Sequence, residues 1–225
     1  HFSVQAGGLL SLQGITLLNG RVNLLDSDTS LSSGWESTST ITGAMMSNEG
    51  GSLAVKGGTV HLTRCTISNS TTTERGGAVF VENAEAQFIG CVFNHSSVYH
   101  DTGMIVNFII GEAYVYGGVL FADRAEVSLE SCNISNSLAG SRSGSCRGGA
   151  IYVDEQCVVR ISRCLFSNSS CHTEGGFYAQ GGFMYVRDGS RVHLDRCRIV
   201  QSRAGSFSMS VFRRAAGCCA SRTAW

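Results

Sequence analysis

The chain has no proline. Its turns must therefore be built from residues that tolerate left-handed backbone or bond to it locally, namely Gly, Asn, Asp and Ser, and glycine is abundant at 28 of 225 residues. Charge of one sign is also lacking: 17 Lys and Arg balance 17 Asp and Glu. Nothing in that balance steers the chain toward nucleic acid or an anionic membrane surface. No apolar run approaches the roughly 18 residues of a membrane-spanning helix. No C-x-x-C pair and no Cys/His spacing marks a zinc site, so neither metal nor cofactor is expected. No window of ten or more residues carries helical periodicity. The sequence opens on His1 without an initiator Met or signal peptide, which reads as a fragment or processed segment. A hydrophobic content of 43% is nevertheless enough for a substantial core.

What is present is repetition. Aligned on a cysteine, five segments fall into register: "TVHLTRCTISNS", "EAQFIGCVFNHS", "EVSLESCNISNS", "VVRISRCLFSNS" and "RVHLDRCRIVQS". Three residues before the cysteine stand Leu62, Phe88, Leu129, Ile161 and Leu194; two after it stand Ile67, Phe93, Ile134, Phe166 and Ile199. Four after it come Asn69, His95, Asn136, Asn168 and Gln201, followed each time by Ser. "LLSLQGITLLNG" at 9–20 fits the same frame, with Ile15 at the Cys position and Asn19 at the Asn position. A Gly pair precedes each segment, in "GGSLAV", "GGAVFV", "GGVLFA", "GGAIYV" and "GGFMYV", with apolar residues two and four positions after it.

Each repeat thus holds three short stretches of period 2, the period of a strand, with phase breaks where the chain turns. Three short strands per repeat, stacked repeat on repeat, predict an all-β fold: a right-handed parallel β-helix over 1–205, of about six coils, followed by a non-repeat tail at 206–225. Equivalent residues of successive coils would then lie about 4.8 Å apart. Cys65, Cys91, Cys132, Cys164 and Cys197 would form an inward ladder, read as core packing because a free cysteine behaves as a small hydrophobe. Asn69, Asn136 and Asn168 would form a second inward ladder at a corner, with the next Ser satisfying backbone groups that the turn leaves unpaired. The repeat lengths differ: from position 69 to 95 is 26 residues, 95 to 136 is 41, 136 to 168 is 32 and 168 to 201 is 33. The surplus at 71–75, 97–116, 138–147 and 170–180 should leave one edge as loops, where solenoids commonly build a binding surface. The longest, 97–116, is apolar and reads as a packed hairpin or a contact with another domain. Cys146 and Cys171 lie in successive loops and could pair in an oxidising compartment, whereas Cys218 and Cys219 fall in the tail.

Four Asn-x-Ser/Thr sequons occur, at Asn69, Asn94, Asn133 and Asn168. With Asn69 and Asn168 taken as inward, Asn94 and Asn133 are the glycosylation candidates. The third residue after each Gly pair is Ala54, Phe80, Phe121, Tyr152 and Tyr185. Lying between inward neighbours, it should face solvent and stack into an aromatic stripe. Glu82, Asp123 and Asp154 follow two residues on as an acidic column, with Asp188 displaced by one. Aromatic rings beside carboxylates suit a saccharide groove; the same pattern also serves cross-strand pairing and strand ends. No Asp-Asp pair, Gly-His-Gly or Arg-x-Lys stands near them, so no catalytic residue is assigned, although carboxyls on neighbouring coils could meet the spacing of an inverting glycosidase. His61 and His193 occupy equivalent outward positions, which reads as surface repetition.

The "GGAV" at 76–79 and "GGAI" at 148–151, each with its Cys/Phe/Asn corner, resemble the repeats of chlamydial polymorphic outer membrane proteins, within the broader pectin lyase-like β-helix class. The resemblance spans roughly 1–205, and the corner Phe166-Ser167-Asn168 is one residue shorter than the family's F-x-x-N. It implies an extracellular or cell-surface adhesion module without catalysis, whose partner is a glycan or a cell-surface protein and whose polypeptide carries further coils. The competing expectation is a divergent pectin lyase-like polysaccharide lyase or glycoside hydrolase, since one scaffold can host both.

Overall fold

Period-2 segments this short leave most of their backbone groups unpaired, so they must find partners in other repeats. In the computed structural model, which describes residues 2–21, 49–100, 114–142, 144–174, 178–187 and 189–206, they do so by parallel pairing throughout, and no helix occurs among the described residues. The first sheet has six strands in sequence order: Phe2–Val4, Leu53–Lys56, Val79–Glu82, Leu120–Asp123, Ile151–Val153 and Met184–Val186. The second has Leu9–Gln13, Thr59–Thr63, Glu85–Ile89, Glu126–Glu130, Val158–Ser162 and Arg191–Asp195. The third has a main path through Thr16–Leu18, Thr66–Ser68, Val92–Asn94, Asn133–Ser141, Leu165–Thr173 and Arg198–Val200. The chain visits the three sheets in turn, once per repeat.

Register places like on like. Leu12, Leu62, Phe88, Leu129, Ile161 and Leu194 share one row of the second sheet, and Leu17, Ile67, Phe93, Ile134, Phe166 and Ile199 share one row of the third. These rows and those of the first sheet meet in one core, where burying each large side chain is worth roughly 1.5–3 kcal/mol. A void of about 10 Å³ lined by Val79, Phe88, Phe93, Val119, Leu120, Leu129, Ile134 and Ile151 lies inside it, too small for any ligand larger than water. At the last strands the same rows open out: Leu194 is 45% and Ile199 44% exposed.

The phase breaks have one physical cause. Every described residue with positive φ falls in one of four columns. They are the first Gly of each pair; the turn between the first- and second-sheet strands (Gly57, Asn83 and Arg124 directly after the strand, Gly7, Gln156 and Gly189 three residues after it); the residue before the Cys position (Gly14, Arg64, Gly90, Ser131, Arg163 and Arg196); and the Asn position itself. Left-handed backbone turns the strand direction within a single residue, at a cost that Gly and Asn bear best. The second Gly of each pair answers to crowding instead. A Cβ on Gly77 would sit 2.2 Å from the carbonyl oxygen of Gly118, and one on Gly118 would sit 2.3 Å from that of Gly149.

Two expectations are corrected at the corner. Asn69 and Asn168 are exposed and Asn136 is half-buried, whereas Ser70, Ser96, Ser137 and Ser169 are buried. The left-handed kink at the Asn (φ 54–55° at these three) resets the alternation, so the inward side chain is the Ser one residue later. Asn168 and Asn136 still bond along the stack, Asn168 Nδ2 to Asn136 Oδ1 at 2.8 Å, but on the outside, and because His95 holds this position in the preceding repeat, Asn136 Nδ2 donates instead to Asn94 Oδ1 at 2.9 Å. The Ser hydroxyls do not rescue the turn: those of Ser96, Ser137 and Ser169 have no hydrogen-bond partner among the described residues, and Ser70 bonds the Ser52 hydroxyl at 2.6 Å.

The expected loop edge is sheet as well. Thr71–Thr72, Ser97–His100, the second halves of Asn133–Ser141 and Leu165–Thr173, and Arg203–Ser206 extend the third sheet beyond the kink. Tyr114–Tyr116, Ser145–Arg147 and Ala179–Gln180 form a fourth, three-stranded sheet. Ser97–His100 and Tyr114–Tyr116 thus pair into different sheets and not with each other as a hairpin; 101–113 lie outside the described residues, as do Asp188 and 207–225, with Cys218 and Cys219. Val98, Val115, Ala139, Cys146 and Cys171 make a second small core between these layers. Within it Cys146 and Cys171 are joined as a disulfide, with Cα atoms 5.9 Å apart.

Candidate functional site

The outer face of the first sheet carries the aromatic stripe, in the order Ala54, Phe80, Phe121, Tyr152, Tyr185. Strand spacing forces the rings face to face. Centroids stand 5.2, 5.3 and 5.5 Å apart along the stripe, with planes within 9° of parallel. The expected exposure to solvent is wrong. Phe80 is 0%, Phe121 2% and Tyr152 1% exposed, and Tyr185 is half-buried.

What covers them is Lys56 over Phe80 and, further along, the residue immediately before each Gly pair. Glu49, Arg75, Tyr116, Arg147 and Gln180 form one parallel column, and the left-handed first Gly (φ 59° at Gly76, 64° at Gly117 and 70° at Gly148) folds this column back over the stripe. Lys56 Nζ lies 5.2 Å from the Phe80 ring centre, Arg75 5.4 Å from that of Phe121 and Arg147 5.2 Å from that of Tyr185. Tyr116 packs 4.5 Å from Tyr152 at 51°, and Arg147 also lies over Tyr114 at 5.3 Å. Each cation–π contact is worth about 0.5–2 kcal/mol according to its desolvation. Glu49 anchors the first two cations, at 2.5 Å from Lys56 and 3.6 Å from Arg75. The result is a layer of rings beneath a layer of cations. Burial, followed by Asp154 and Tyr116, pushes the Tyr152 phenol up to about 12, and burial raises that of Tyr116.

The acidic residues border this layer. Glu82 and Asp123 are register partners, and Arg124 reaches both, at 3.3 and 2.7 Å. Its Nε also donates to Asn83 Oδ1 at 3.0 Å. Arg187 holds Asp154 at 2.7 Å and Glu155 at 3.0 Å, and the Asp154 carboxylate raises the guanidinium's own pKa further. Burial raises the Asp123 carboxyl above the ordinary carboxylate range, with Arg124 opposing and Asp154 and Glu82 adding to the rise. Chemically this is a row of carboxylates, each bound to a guanidinium that cannot give up its charge. Among the described residues, no three His, Cys, Asp or Glu side chains gather as a metal-binding group.

The other predicted positions lie elsewhere. Cys65, Cys91, Cys132 and Cys164 are buried and Cys197 is half-buried. Each thiol faces the carbonyl three residues before the Cys of the previous repeat: Cys65 to Leu12 at 3.5 Å, Cys91 to Leu62 at 3.4 Å, Cys132 to Phe88 at 3.4 Å, Cys164 to Leu129 at 3.6 Å and Cys197 to Ile161 at 3.5 Å. A small apolar side chain with a weak donor fits a kink that interrupts the strand ladder. Asn94 is half-buried and Asn133 exposed, both on the third sheet, away from the aromatic layer.

Sequence reasoning missed two features. Cys157, buried at 1%, accepts the Ala125 amide at 3.4 Å at another kink. The covering column escaped notice because its residues change type from repeat to repeat; their constant place before the Gly pair was the only signal. No protein-family model, curated protein or solved structure matches this chain.

Proposed function

We propose that the three long sheets are the faces of a right-handed parallel β-helix of about six coils, and that the chain is a non-catalytic extracellular module for adhesion through a glycan. One observation carries this reading: Glu82, Asp123 and Asp154 are each tied to Arg124 or Arg187 at 2.7–3.3 Å beside a stack of rings. Carboxylates held in place by guanidinium groups suit the fixed accepting of hydroxyl hydrogen bonds. Among the described residues the stack ends at Tyr185, half-buried beneath Arg147, and Arg187, two residues further along the chain, pairs with Asp154. A sugar ring can lie its C–H face on Tyr185 there, with its hydroxyls on the Asp154–Arg187 pair.

The test is incubation with a panel of acidic and neutral polysaccharides, with product masses and retention read on the same samples. Retention without new oligosaccharides, weakened about tenfold or more by Tyr185→Ala, is the expected result. New oligosaccharides lost in Asp123→Ala or Asp154→Ala would establish the competing lyase or hydrolase reading.

A further inference from the structure

The four sequons share one face. Asn69 follows the third-sheet strand Thr66–Ser68, Asn94 ends Val92–Asn94, Asn133 begins Asn133–Ser141, and Asn168 sits at the kink within Leu165–Thr173. Each of four successive repeats therefore presents one sequon on the outer face of the third sheet or at its corner, and the first and second sheets carry none. Asn69, Asn133 and Asn168 are exposed and Asn94 is half-buried.

The fold accounts for only part of this. Asn69 and Asn168 suit the left-handed kink. Asn133 does not occupy a kink, and its row neighbours are Val92 and Leu165. Its side-chain amide makes no hydrogen bond among the described residues, so nothing in the packing calls for Asn. Asn94 differs: its Oδ1 accepts from Ser135 Oγ at 3.0 Å and from Asn136 Nδ2 at 2.9 Å, so the packing does engage an Asn where the neighbouring repeats carry Ser68 and Ser135. A separate observation gives the compartment: the disulfide Cys146–Cys171, buried in the second core, belongs to an oxidising environment, where such sequons meet their transferase.

We propose that the outer face of the third sheet is an N-glycan-bearing face, modified at Asn69, Asn133 and Asn168. The donor is an oligosaccharide linked to a lipid diphosphate. The side-chain amide nitrogen attacks C1 of the reducing-end sugar, the C1–oxygen bond breaks, the lipid diphosphate leaves and the nitrogen gives up one proton. One N–H remains on the amide nitrogen. Asn69, Asn133 and Asn168 are exposed, so their glycans project away from both cores.

The experiment is secretion of the full chain from a eukaryotic host, with intact mass and glycopeptide mapping before and after peptide N-glycosidase. Glycans at Asn133 and at one or both kink residues are expected. Asn133→Gln should remove one glycan mass. Thr71→Ala and Ser170→Ala should each remove one more while leaving Asn69 and Asn168 to hold their kinks. Secretion of each variant with unchanged far-ultraviolet circular dichroism keeps misfolding apart from loss of the site. Secreted protein bearing no glycan at Asn133 overturns the proposal, whatever the occupancy at the corners.

Discussion

Replacing Phe121 by Ala separates a closed aromatic layer from an open groove. The ring is 2% exposed, stacked between Phe80 at 5.2 Å and Tyr152 at 5.3 Å and capped by Arg75 at 5.4 Å. Truncating a buried Phe costs about 3–5 kcal/mol, including the cavity it leaves. The lost ring contacts place Phe121 in the upper part of that range, because stacked pairs add about 0.5–1.5 kcal/mol beyond area. For a chain of this size each kcal/mol moves the melting temperature by about 2–4 °C, so a fall of about 10 °C or more is expected. Thermal and urea unfolding of the two proteins measure it, with an unchanged urea slope confirming that the native surface is preserved. A surface ring in a solvent-filled groove would cost about 0.5 kcal/mol or less. A fall below 2 °C would therefore refute the buried layer and restore the stripe as an exposed platform.

Other perturbations follow from the same geometry. Ser137→Ala deletes a buried hydroxyl with no partner and should leave stability unchanged or raise it by about 1 kcal/mol; a loss above 1 kcal/mol in urea unfolding would show that the hydroxyl is engaged. Replacing Cys146 and Cys171 together by Ala opens a link of sequence separation 25 and should cost about 3 kcal/mol, read as a lower melting temperature that reductant no longer changes. Asp123 has a native carboxyl pKa above its unfolded value, so the native state holds the proton to higher pH. Its stabilising contribution is present below the ordinary carboxylate pKa and is lost as pH rises through that range to the raised native value. Asp123→Asn should flatten this part of the stability–pH curve, and a curve of unchanged slope would rule Asp123 out as its source.

The sequence made the strands legible because period 2 survives in every repeat, and the parallel registers align the residues that its repeats align. The corner was misread by one residue. From Cys65 the alternation runs in, out, in, out to Ser68, and strict continuation sends Asn69 inward; the left-handed kink at Asn69 turns it out and Ser70 in. Residue identity alone did not reveal this, because Asn suits both an inward ladder and a left-handed turn. The stripe was placed on the correct face, opposite Leu53 and Val55. Its burial could not be foreseen, because it depends on Arg75, Tyr116 and Arg147 folding back across a Gly whose φ is set by the packing of the next repeat. The supposed loops at 138–147 and 170–180 carry alternating small residues, Ala139 and Cys171 among them, too weakly apolar to announce a second core.

The four columns of left-handed residues also govern how such a gene can change. Because every repeat turns at the same four places, an unequal crossover between two repeats rejoins the chain in phase: Asn meets Asn, Gly meets Gly, and the strands on either side keep their partners. Lengthening by whole repeats is thus the large mutation least disruptive to this architecture. The 26-residue step from Asn69 to His95 and the 41-residue step from His95 to Asn136 record a second permitted freedom, which is the length of chain between the buried Ser and the next Gly pair. A single-residue deletion inside a strand has neither route, since it exchanges the inner and outer faces up to the next kink. Length variation among descendants of this sequence is therefore expected in units of a repeat, at that edge, or by single residues in the turn after the first-sheet strand, where the last two repeats already carry one more.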